Sequence, residues 1–108
     1  MKQIFLLLFS TLLFFSCTTT KTIVNSTVTS EGGDGSSYEK AVIIKEKTET
    51  SGVAAEYKWL SVHYPNCKTA KQSLSQNNNK PYDIMTLKCD DGNEIDVYFD
   101  ISNFFGKF

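Results

Sequence analysis

Apolar residues crowd the start of the chain, thin out, and then return with regular spacing. Ile4 to Phe15 is apolar except for Ser10 and Thr11, directly behind the basic Lys2. Thr18 to Ser37 is rich in Thr, Ser and Gly, with only Ile23, Val24 and Val28 as sizeable apolar groups. Such a composition makes a flexible tether with a root-mean-square reach of about 25 Å. Beyond it, Ala41-Val42-Ile43-Ile44 is a short β-branched run, entered from Gly35-Ser36-Ser37 and left through Lys45 to Lys47, and it reads as a strand. From Gly52 to Tyr64, the apolar Val53, Tyr57, Leu60 and Tyr64 recur at spacings of four, three and four, and Trp59 and Val62 widen the stripe. That rhythm predicts an amphipathic helix, capped by Thr50 or Ser51 and ended by Pro65.

After Pro65 the pattern is that of strands and tight turns. Lys68 to Gln76, Tyr82 to Cys89 and Glu94 to Ile101 are separated by Asn77-Asn78-Asn79-Lys80-Pro81 and by Asp90-Asp91-Gly92. For the second turn, a three-residue loop with Gly92 left-handed sets Leu87 across from Ile95 and Met85 across from Val97. A two-residue loop would set them against Asp96 and Tyr98, so only the first gives a continuous apolar face. The first hairpin has two registers. Pairing Cys67 with Cys89 puts Thr69, Lys71 and Ser73 on the Met85 and Leu87 face, whereas a one-residue slip brings Ala70 and Leu74 there and turns Cys67 away. Ser102 can cap a last helical turn that Gly106 ends. The expected fold is α+β: a short strand, one amphipathic helix, a three-stranded antiparallel meander with the helix on one face, and a C-terminal helical turn.

The leader divides the chain further. Twelve residues from Ile4 to Phe15 make about 18 Å of helix, too short for a hydrocarbon layer of about 30 Å. A basic start, an apolar stretch and a small residue before the cut are the parts of a secretory signal. Leu13-Phe14-Phe15-Ser16-Cys17 resembles a lipobox, the segment at which bacterial lipoprotein precursors are acylated and cleaved; Ser16 fits it, and Phe14 and Phe15 depart from its usual residues. The resemblance implies a diacylglycerol on the Cys17 thiol and an acyl chain on its amine, enough for lasting attachment to a membrane. An ordinary signal peptide cut near Cys17 would instead leave a free thiol. The expected division is a signal peptide over 1–16, acylated Cys17 and a tether over 17–37, and a small domain over 38–108. With Cys17 acylated, Cys67 and Cys89 remain as an even pair in an exported protein, which favours a disulfide. Two cysteines and the lone His63 fall short of a structural zinc site.

Charge and chemistry narrow the function by exclusion. All eleven basic residues are Lys, and with Lys2 in the leader ten remain against twelve Asp and Glu. A slightly acidic domain without guanidinium groups is a poor nucleic-acid binder. No catalytic constellation, cofactor site or metal site is expected. His63 reads as an exposed helical residue, Ser61 faces elsewhere on the same helix, and Asp90, Asp91, Glu94 and Asp96 read as a solvated turn and an acidic strand face rather than a calcium loop. The surplus is aromatic. Tyr98, Phe99, Phe104, Phe105 and Phe108 fall within eleven residues. Most suit the core of a small domain, and the sharper reading leaves one or two of Phe104, Phe105 and Phe108 exposed beside Tyr82 and Tyr98 as a docking patch for a protein or glycan.

Gly35-Ser36-Ser37-Tyr38, Glu56-Tyr57-Lys58-Trp59-Leu60, Tyr64-Pro65, Lys80-Pro81-Tyr82-Asp83-Ile84 and the tail Tyr98-Phe99-Asp100-Ile101-Ser102-Asn103-Phe104-Phe105-Gly106-Lys107-Phe108 resemble small envelope lipoproteins of the Bacteroidetes type. The resemblance implies secretion and a place in the bacterial cell envelope, at the outer membrane, and it implies no activity. The expected function is that of a lipid-anchored, non-enzymatic binding or accessory protein with a protein partner. The alternative is an inhibitor or immunity lipoprotein acting against an exported hydrolase or toxin.

Overall fold

The computed structural model describes residues 30–108, so the leader and Cys17 lie outside the described residues. The elements are β1 (Ser30–Gly32), β2 (Val42–Ile44), α1 (Glu49–His63), β3 (Cys67–Asn77), β4 (Lys80–Cys89) and β5 (Glu94–Asp100). The fold is α+β, one helix on a five-stranded sheet of order β1-β2-β5-β4-β3. The expected meander of β3, β4 and β5 is antiparallel, but the sheet as a whole is mixed, because β2 pairs parallel with β5 and β1 pairs antiparallel with β2.

Within the segment that composition reads as a tether, the described residues Ser30–Gly32 form β1 and the following loop docks on β5. Asp34 Oδ1 accepts hydrogen bonds from Ser36 N at 3.0 Å and Ser36 Oγ at 2.7 Å, closing a local turn. Gly35, left-handed at φ +83°, offers its carbonyl to Tyr98 N at 2.7 Å, and a Cβ there would press on Val97. Composition alone reads such a segment as flexible; the turn chemistry of Asp34-Gly35-Ser36 is what fixes it.

The second hairpin has the expected register, with Leu87 opposite Ile95 and Met85 opposite Val97, and Gly92 lies at φ +89°. In the first hairpin both registers occur, one on each side of a bulge. Cys67 pairs with Cys89 and Thr69 with Leu87; after the irregularity between Thr69 and Lys71, Gln72 pairs with Met85 and Leu74 with Asp83. The extra residue lets the cysteines meet and also lets the Asn78-Asn79 turn close with both residues at positive φ, as a type I′ hairpin turn requires.

α1 begins earlier than expected. Thr48 is its N-cap, with Oγ1 accepting from Ser51 N at 3.3 Å. Its buried face consists of Gly52, Glu56, Trp59 and Leu60. Tyr57 and Val62, placed on the apolar stripe by their spacing, are 45% and 55% exposed. The helix is turned so that Trp59 meets Phe99 edge to face, with ring centroids 5.6 Å apart, and so that Phe104 packs on Gly52, where any Cβ would overlap the ring. The core cluster of Val42, Ile44, Trp59, Leu60, Met85, Leu87, Val97, Phe99, Ile101 and Phe104 lies between α1 and one face of the sheet. On the opposite face, Tyr38 meets Tyr82 and Tyr98 edge to face, each at 4.9 Å, and shares a 2.6 Å hydrogen bond with Ser75 Oγ.

Candidate functional site

Among the described residues three acids are buried, and they are not equally provided for. Asp100 accepts from Ser102 N at 3.0 Å and Ser102 Oγ at 2.6 Å through Oδ1, and its Oδ2 pairs with Lys80 at 3.7 Å. Those bonds also correct the expected cap of the C-terminal turn: Ser102 donates to Asp100 instead of capping it, while Phe105 N to Ile101 O at 2.9 Å closes a single helical turn that Gly106, at φ +76°, ends.

Glu56 and Asp83 have no such support. Glu56 is fully buried on the inner face of α1, and neither of its carboxyl oxygens has a partner at full hydrogen-bond geometry, although the Asp83 carboxyl is close enough to favour its protonated form. Asp83 is 4% exposed and lies on the same face of β4 as Met85 and Leu87. No ion pair among the described residues involves either acid. Burial first, then neighbouring Asp83, then Glu49 push the Glu56 carboxyl up to about 10. Glu56 is therefore a neutral acid over the ordinary pH range, set against a second carboxyl group. An unpartnered buried carboxyl is costly, and native folds retain few such groups.

Beside this pair is a cavity of about 210 Å³ whose wall includes Glu49, Asp83, Gln72, Leu74, Phe104 and Phe105. The tail builds one side of it. Glu49 N donates to Lys107 O at 2.8 Å and Gly106 N donates to Glu49 Oε2 at 2.9 Å, so the last turn is fastened to the start of α1. This places the Phe104 ring in the core and leaves Phe105 partly exposed at the rim, with Leu74 58% exposed across from it. The position of Asp83 was available from the strand alternation, because the register that turns Met85 and Leu87 inward turns Asp83 inward too. Glu56 carried no such signal, since an acid between Ala55 and Tyr57 reads as a solvent-facing helical residue.

The residues singled out by sequence fall in different places. Cys67 and Cys89 form a disulfide at the far end of the sheet. Tyr82 and Phe104 are buried, Tyr98 is half-buried on the opposite sheet face, Phe105 is on the notch rim, and Phe108 is fully exposed at the end of the chain. The five aromatics therefore do not make one docking patch: Tyr82 is closed in by Tyr38 and Phe104 by Gly52. His63 stacks on Trp59 at 3.9 Å with Nδ1 3.0 Å from the Trp59 carbonyl, while Ser61 Oγ donates to Lys58 O at 2.8 Å, so the two do not meet. Asp91 accepts from Asn93 N and Nδ2, each at 2.9 Å, and Asp96 accepts from Thr86 Oγ1 at 2.7 Å. No group of His, Cys, Asp and Glu among the described residues is arranged to hold a metal ion.

Two wider hollows, of about 460 and 520 Å³, flank the Tyr64-Pro65 bend and the disulfide, and neither contains a buried polar group without a partner. No protein-family model, curated protein or solved structure matches this chain.

Proposed function

We propose that the chain is a lipid-anchored protein of the bacterial cell envelope, at the outer membrane, that acts by binding a protein partner. The observation that carries this reading is the placement of Cys17 directly behind Ser16 and the short apolar run. The remaining two cysteines are bonded to each other, as suits a domain in an oxidising compartment. The domain offers a protein partner an exposed rim of Leu74 and Phe105 around a recessed acid.

Mass spectrometry of the mature N-terminus tests the anchor. The expected species is an acylated Cys17 followed by Thr18, and Cys17→Ala is expected to release the protein or leave it unprocessed. An unmodified N-terminus at another residue would rule the anchor out.

A further inference from the structure

We propose that the notch between the start of α1 and β3–β4, lined by Glu49, Asp83, Leu74 and Phe105, takes one basic side chain, a lysine or arginine, from a protein partner. This deepens the reading of the domain as a binding module and rests on it.

Charge complementarity identifies the occupant. Asp83 and Glu49 both line the cavity, and the buried Glu56 carboxyl, which does not line it, is near enough to both to feel their charge. Among the described residues no cation pairs with this group: Lys80 pairs with Asp100 on the opposite face and Lys45 with Glu31 on β1. A buried acid pair gains most from a cation that brings its own donors.

Size and lining select the kind of cation. The cavity of about 210 Å³ falls below the roughly 300 Å³ at which small-molecule sites begin, yet it accommodates one extended side chain. The three acids are not arranged for a metal ion. Val53, Leu74 and Phe105 instead present apolar surface for a methylene stem, and the buried Asp83 carboxyl in the same wall can meet its charged head. The exposed Leu74 and Phe105 would meet the residues flanking that side chain, the usual surround of a buried anchor in a protein interface.

The test uses the full chain in detergent and three capped tripeptides: Phe-Lys-Phe, its norleucine analogue with the same stem and no charge, and Phe-Glu-Phe. Backbone amide shifts follow the binding. The lysine peptide is expected to shift Gln72, Leu74, Asp83 and Phe105 saturably, at least tenfold more tightly than the norleucine peptide, with no response to the glutamate peptide. Asp83→Asn is expected to abolish the difference between lysine and norleucine. The exposed Leu74→Ala, which leaves the core intact, is expected to weaken both about equally. Equal binding of lysine and norleucine peptides, shifts confined to Tyr57 and Tyr64, or no saturation below about 10 mM would overturn the site. A chain acylated at Cys17 that ignores the lysine peptide loses the notch and keeps the anchored-protein reading. A chain that binds the peptide but is not acylated does the reverse.

Discussion

The two ends of α1 differ in how completely the fold satisfies what it buries. At the C-terminal end, Trp59 and Leu60 pack on the sheet, Trp59 meets Phe99 edge to face, His63 stacks on Trp59, and the Cys67–Cys89 disulfide closes the hairpin beside Tyr64. At the N-terminal end, Phe104 fills the space left by Gly52, but one turn further along the helix buries Glu56 against Asp83. The first end is apolar and cross-linked; the second combines a tight aromatic contact with an acid pair that, among the described residues, no lysine pairs with. In a domain of this size, whose net stability is a few kcal/mol, such a pair is an appreciable burden. It is at this N-terminal end that the proposed notch for a basic side chain lies.

The largest effect is expected from Phe104→Ala. Gly52 cannot move in to fill the space, so the cavity persists and the loss is about 3 to 5 kcal/mol, measurable as a lowered denaturant midpoint or outright unfolding. A variant that melts normally would mean that the tail is not part of the core. Breaking the disulfide ranks second. Cys67 and Cys89 are 22 residues apart, and losing the bridge is expected to cost about 3 kcal/mol on the chain-entropy account. Thermal melting with and without reductant measures it. If reduction costs more than Phe104→Ala, the covalent end dominates stability; the reverse order assigns that role to the tail.

Much of the fold was legible because it follows from spacing and turn chemistry. The β4–β5 register came from requiring Met85 and Leu87 to face Val97 and Ile95, and it is the one observed. The helix was legible as a helix but its face was not. Periodicity counts Tyr57 and Val62 as apolar and passes over Gly52 and Glu56, while the fold turns the helix to admit a phenylalanine distant in sequence. A parallel β2–β5 pair cannot be inferred from either strand alone, because it depends on where the intervening meander returns. The two readings of the first hairpin conflicted because a bulge permits both, and a single-register analysis has no place for an extra residue. The site was half legible: Asp83 followed from alternation, but its partner Glu56 depended on the rotation of α1.

A gentler test of the contrast is the pH dependence of stability, and here the sign follows from Glu56. Its folded value, about 10, lies above the ordinary 4.5, with burial the main cause and Asp83 and Glu49 adding to it. Between these values the folded chain holds a proton that the unfolded chain has released, so stability is greatest below about 4.5 and declines as pH rises toward 10. The decline can reach about 1.4 kcal/mol per pH unit, with Asp83 and Glu49 as the other titratable groups facing the site. Glu56→Gln keeps the shape and removes the titration. The wild-type denaturant midpoint is expected to fall steadily from pH 5 to pH 8 while that of Glu56→Gln stays nearly level. Parallel slopes in the two proteins would show that Glu56 is solvated in solution, and would remove the difference between the two ends of the helix. A slope in the wild type that flattens when a lysine peptide is bound would connect the burden on the fold to its use, because a cation beside Asp83 allows the pair to release its proton without loss.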